Sequence, residues 1–113
     1  MRLWMVKPSI LCRKHLLGEH LESHMFVGAI TKGKSITGFI EKGLVEVHNI
    51  VSRHDELAEE MLTRGYRHQS PLTLSLPLHT QIGEVDSDNS MKELASRCPD
   101  CRERIERRMN HGN

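Results

Sequence analysis

Aromatic residues are nearly absent from this chain: its 113 residues include one Trp, one Tyr and two Phe. A core built on ring stacking is therefore excluded, and Leu, Ile, Val and Met must supply the packing. No apolar run approaches the roughly 20 residues that span a bilayer. The opening Met1-Arg2-Leu3-Trp4-Met5-Val6-Lys7-Pro8 meets charge and proline too soon to be a secretion signal. Cysteines number only three, an odd count that argues against a closed disulfide framework and for reduced thiols or metal ligands. The expectation is a cytoplasmic protein without a membrane partner, and the length allows one domain with one modest core.

Charge is plentiful and unevenly placed. The net value of +1 conceals six Lys/Arg against two Glu in residues 1–40, and five against ten acidic groups in 41–96. Residues 97–113 return to five Arg against three acids. Such a distribution lets both ends face an anion while the middle repels it; it also fits an ordinary solvated surface.

Periodicity predicts an all-α fold of three main helices, with an extended N-terminal arm over residues 1–8 and irregular connections. A first helix is expected from Ser9 to about Thr31. It packs through Ile10, Leu17, Leu21 and Gly28 with Met25 beside them, and stops at Gly33. Leu44, Val47, Val51, His54, Leu57 and Met61 predict a second helix ending before Gly65, whose end Tyr66 closes. Residues 67–89 read as an irregular connection; alternation of Leu72, Leu74, Leu76 and Leu78 permits a short strand that Pro77 interrupts. Ser90-Met91-Lys92-Glu93 matches a capping box opening a third helix, which Pro99 should break before a final helical stretch from Cys101 to about Met109. The organisation expected is a helical domain over 1–96 followed by a basic tail over 97–113.

At 100° per residue, His15, Glu19, Glu22 and Phe26 share a face of the first helix roughly opposite Leu17 and Leu21. Such a face can line a site, or it can simply be solvated. The stretch His15-Leu16-Leu17-Gly18-Glu19-His20-Leu21-Glu22, continued by Val27-Gly28-Ala29, resembles the first-helix motif of the pyrimidine-dimer DNA glycosylases with abasic-site lyase activity, the phage endonuclease V type. A second block is similar in order and spacing: Arg53-His54-x-x-Leu57 through Glu60-Met61-Leu62-x-Arg64-Gly65-Tyr66. The opening Met1-Arg2-Leu3-Trp4 and the run from Arg64 to Pro71 complete a resemblance that covers residues 1 to about 72.

That resemblance implies duplex DNA containing a lesion as partner, a monomeric protein and chemistry that requires no cofactor. It implies that the α-amine of the first residue is the nucleophile. An α-amine has an ordinary pKa of about 7.7–8.0 against about 10.4 for lysine, so a useful fraction is neutral at physiological pH. It attacks the sugar C1′, the base leaves, and an imine remains. Met1 should carry that amine here, because Arg2 is too bulky for removal of the initiator. Glu22 occupies the position of the catalytic carboxylate, and an arm folded back along the helix is long enough to bring the two together. Arg2 aligns with a basic residue beside the nucleophile and is expected to contact phosphate. The family's arginines flanking the carboxylate are Leu21 and Met25 in this chain, leaving His15, His20 and His24 as candidate DNA contacts, with Lys32 and Lys34 around Gly33 as a phosphate clamp. His20 and His24 also form a possible metal pair without an obvious third ligand.

Cys98-Pro99-Asp100-Cys101 has the spacing of half a zinc site, and Cys12 and His15 share that spacing, so a structural zinc joining the first helix to the tail is one reading. A redox pair or two ordinary thiols are the others. Two rival functions stay open: a non-catalytic nucleic-acid-binding module with zinc, and a helical interaction protein that keeps the framework without activity.

Overall fold

Pro8 sets the first turn of the chain. Its fixed φ suits the opening of a helix, but only a 3-10 turn forms, over Pro8–Ile10. The chain then extends through Leu11 and Cys12 before α1 (Arg13–Thr31) begins. The first helix thus starts four residues later than the Ser9 expected from sequence. The computed structural model describes residues 1–68, 70–75 and 81–111. Among them are a short α2 (Thr37–Glu41), a 3-10 turn over Val47–Asn49, α3 (Ile50–Thr63), α4 (Ser87–Arg97) and α5 (Pro99–His111), with no strand. The protein is all-α and a single domain.

The residues preceding α1 form part of the core. Leu3 and Trp4 are buried, and the Leu3 N–H donates to the Leu44 carbonyl at 2.7 Å. Met5 takes φ of 56°, a left-handed conformation that costs a non-glycine residue about 1–2 kcal/mol. Burial of Leu3, Trp4 and Val6 around it offsets that cost. The arm contributes to two apolar clusters. Trp4 and Val6 pack with Leu16, Leu57, Met61, Leu94 and Ile105; Leu3 packs with Phe26, Val45, Val47 and Ile50.

The buried stripe of α1 differs from the one read off its apolar residues. Leu16, Glu19, Ser23, Phe26 and Val27 face inward, whereas Leu21 is 60% and Met25 48% exposed. The reason is a polar side chain placed at the centre of the packing. Glu19 holds Arg53 of α3 through two hydrogen bonds, Nε to Oε2 at 2.6 Å and NH2 to Oε1 at 2.9 Å. A third guanidinium nitrogen donates to the Val6 carbonyl at 2.6 Å. One ion pair therefore joins the two long helices and the arm, and the buried face is centred on it; Leu17 stays partly buried at its edge against the first cluster, and Leu21 falls outside.

Both expected glycine stops are real. Gly33 and Gly65 take φ of 73° and 84°. After Gly65 the Tyr66 N–H reaches the Met61 carbonyl at 2.8 Å; after Gly33 the Lys34 N–H reaches the Ala29 carbonyl at 2.9 Å. These bonds satisfy carbonyls that the helix ends would leave open. The second helix starts later than expected, because Glu46 is extended and the 3-10 turn over Val47–Asn49 follows it.

The capping box at Ser90 does not form. Asp86 caps α4 instead, accepting from the Asn89 N–H at 3.0 Å, so that α4 starts four residues earlier. Ser90 and Glu93 both turn toward Arg2 of the arm. Pro99 ends α4 as expected and opens α5, which brings Cys101 and Ile105 into the first cluster. Leu72 and Leu74 lie partly buried against the second cluster without forming a strand. Leu76, Pro77 and Leu78 of the predicted strand lie outside the described residues.

Candidate active site

Lys14, Gly18 and Glu22 follow one another at four-residue spacing on α1, so their side chains share a face. Gly18 contributes no side chain, and a Cβ there would meet nothing within 4 Å. The resulting gap is part of a cavity of about 620 Å³ between α1, the arm, the Lys42–Leu44 segment and α4. That volume is typical of a small-molecule or nucleoside site.

The terminal nitrogen of Met1 lies at this cavity, 3.9 Å from Oε1 of Glu22. Glu22 is about half-buried. Burial raises its carboxyl above the ordinary range; the backbone amide of Arg2 and the terminal ammonium pull it partly back. Arg2 is committed inside the protein. Its guanidinium bonds Glu93, donates to Ser90 Oγ at 3.3 Å, and lies 3.6 Å over the Trp4 ring. Glu93 also accepts from Arg97 at 2.9 Å, so α4 closes one wall of the cavity through a carboxylate that sequence reading assigned to a cap.

The other expected contacts separate. Lys32 and Lys34 are exposed beyond the end of α1 and do not line the cavity. His20 and His24 lie with His54 and His68, away from it. Burial and the neighbouring imidazoles bring His20 down to about 4 and lower His24 as well. In their place Lys14, Lys42 and Arg97, all exposed, reach the cavity. Lys14 was legible from its position two turns before Glu22. Lys42 and Arg97 come from distant segments and carried no local signal.

His15 stands at the cavity and also in a group of thiols. Its Nδ1 is 3.2 Å from Cys12 Sγ and 3.5 Å from Cys101 Sγ, while Cys12 and Cys98 sulfurs are 3.9 Å apart. Burial lowers the His15 pKa, helped by Lys14 and Arg97. Burial pushes the Cys101 thiol up to about 12. Cys98 is also pushed up by burial, but hydrogen bonds from Cys101 and Cys12 outweigh this and its pKa falls. The Cys12 N–H approaches Cys101 Sγ at 3.3 Å and the Cys101 N–H approaches Cys98 Sγ at 3.4 Å. Cys12, His15, Cys98 and Cys101 therefore lie close enough to share one metal ion.

No described helix is long and apolar enough to cross a membrane. The family model described as pyrimidine dimer DNA glycosylase matches residues 1–74. No curated protein and no solved structure matches the chain.

Proposed function

Because the chain belongs to the pyrimidine dimer DNA glycosylase family, we propose that it is a DNA repair glycosylase with abasic-site lyase activity, acting through the α-amine of Met1. The observation that carries this reading is the terminal nitrogen 3.9 Å from Glu22 at the cavity. The neutral amine attacks C1′ of a damaged nucleotide. The glycosidic bond breaks and its electron pair leaves with the base; the C1′–O4′ bond then opens, its electron pair and a proton going to O4′, as the nitrogen lone pair forms the protonated imine to C1′. Glu22 stabilises the developing positive charge on the sugar. It then carries protons for the β-elimination that removes the C2′ proton and breaks the C3′–O bond. No cofactor takes part. A nucleotide drawn from its stack fits the cavity, and damage lowers the cost of drawing it out. Lys14 and Lys42 at the rim, with Lys32 and Lys34 beyond the end of α1, hold phosphates of the duplex. The protein acts as a monomer in the cytoplasm.

Borohydride trapping on abasic-site and on ultraviolet-irradiated duplex DNA tests the reaction. A reduced protein–DNA adduct is expected, located on Met1 by peptide mass and lost when the terminus is acetylated. Undiminished trapping after acetylation would refute the amine mechanism. Cleavage of the abasic but not the irradiated duplex would leave a lyase and remove the dimer as substrate.

The thiol group is read as a structural zinc site. Zn–S near 2.3 Å and Zn–N near 2.0–2.1 Å give tetrahedral edges of about 3.8 Å between sulfurs and about 3.5 Å from sulfur to nitrogen. The separations of 3.9, 3.2 and 3.5 Å are close to these. Zinc there ties α1 to α4 and α5 and so holds Glu93 and Arg97 against the cavity. Cys98→Ser is expected to remove one equivalent of zinc and lower the urea midpoint; unchanged metal content and midpoint would count against the site.

A further inference from the structure

Four imidazoles from three parts of the chain meet on the side of α1 that does not carry Glu22. His20 and His24 stand one turn apart on α1, two residues either side of Glu22, and so project about 160° away from it. His54 comes from the centre of α3 and is 1% exposed; His68 follows α3 by five residues. Ring centroids lie 4.8 Å apart for His20–His54, His20–His68 and His24–His54, and 5.1 Å for His54–His68. The nearest nitrogens of His20, His54 and His68 all fall within 4.8 Å of one another.

The hydrogen bonding of this group is incomplete without a cation. His54 faces an oxygen acceptor at each ring nitrogen: Asp55 Oδ1 at 2.8 Å from Nδ1, and the Ser70 carbonyl at 3.0 Å from Nε2. A neutral imidazole has one N–H for these two. His68 Nε2 is a further 3.3 Å from His54 Nε2. The Nε2 atoms of His20 and His24 are buried with no partner among the described residues, so their loss of water is not offset by another bond. A second proton on His54 would satisfy Asp55 and Ser70 and leave His20 and His24 as they are. A metal ion held by His20, His54 and His68 instead uses a lone pair from three of the four rings at once.

We propose that His20, His54 and His68 form a second metal site, which binds one divalent first-row transition ion with His24 at its margin. Imidazole is a ligand for such ions and not for Mg²⁺ or Ca²⁺. Metal–nitrogen bonds of about 2.0–2.1 Å place two tetrahedral nitrogens about 3.3 Å apart, the separation already present between His54 and His68. Asp55 behind His54 fixes Nδ1 as the protonated nitrogen and aims the Nε2 lone pair at the ion, the usual outer support of a metal-bound histidine. Three protein nitrogens leave a fourth position for the Ser70 carbonyl or water. The ion clamps α1 to α3 and to the segment after α3, outside the cavity and independently of the glycosylase reading.

Metal content of the full chain, saturated with Zn²⁺ and desalted, decides the matter by difference. His68→Gln, in the irregular segment, is expected to hold one equivalent less than the parent by native mass spectrometry while keeping its helical circular dichroism. Cys98→Ser should leave that equivalent in place. In a Co²⁺ titration of the parent, the histidine-bound equivalent gives weak visible bands without thiolate charge transfer. Equal metal content in the parent and His68→Gln would overturn the site. So would a His54 ring that nitrogen NMR shows doubly protonated in the Zn²⁺-saturated protein.

Discussion

Glu22→Gln is expected to lower turnover on lesion DNA by about 10²–10⁴-fold, the range for loss of a positioned acid–base group, while leaving affinity for the same duplex nearly unchanged. The amide keeps the shape of the side chain and removes its charge and its transferable proton. Burial raises the carboxyl pKa at this position, which brings it nearer the working pH and suits a group that must both accept and release a proton. The Arg2 amide and the terminal ammonium limit that rise, so a carboxylate remains available to face positive charge on the sugar. Single-turnover cleavage and fluorescence anisotropy on one labelled duplex separate the two effects. Full cleavage by Glu22→Gln would refute the assigned role. Equal loss of binding and cleavage would make Glu22 a DNA contact rather than an acid–base group.

Much of the fold was legible because local chemistry decides it. Gly33 and Gly65 end helices for reasons confined to a few residues, and Pro99 separates α4 from α5 in the same way. The buried face of α1 was not legible, because it depends on Arg53, thirty-four residues away, turning Glu19 inward. Ser90 and Glu93 had the spacing of a capping box, yet the arm brings Arg2 to both and Asp86 caps the helix. The same limit applies to the site. His15 and Glu22 are read from one helix, and both line the cavity. The grouping of His20 with His54 and His68 needs the packing of α1 on α3, and a sequence displays only the His20–His24 pair.

Arg53→Ala should carry the largest stability cost of any single substitution considered, about 3–5 kcal/mol, the range for removing one partner of a buried ion pair. Arg53 is 2% and Glu19 1% exposed, so truncation leaves a carboxylate without solvent or partner. The Val6 carbonyl also loses its donor. The longer Arg53–Glu56 pair, 3.9 Å and largely in solvent on the Glu56 side, adds little to the loss. Urea unfolding of the parent and Arg53→Ala measures the loss. The double variant Arg53→Met, Glu19→Leu separates pairing from packing, because replacing both partners with apolar groups of similar size is often neutral. Stability recovered to near the parent would show that the pair's worth lies in avoiding an orphaned charge. Arg53→Ala within about 1 kcal/mol of the parent would refute a desolvated pair, since that is the range of exposed ones. Activity should not recover with stability in the double variant. The arm is held at Val6 by Arg53, and Met1 reaches Glu22 only through that arm, so losing the anchor loosens the terminal amine. Cleavage that returns fully with stability would show instead that Leu3 and Trp4, buried on their own account, are enough to position it.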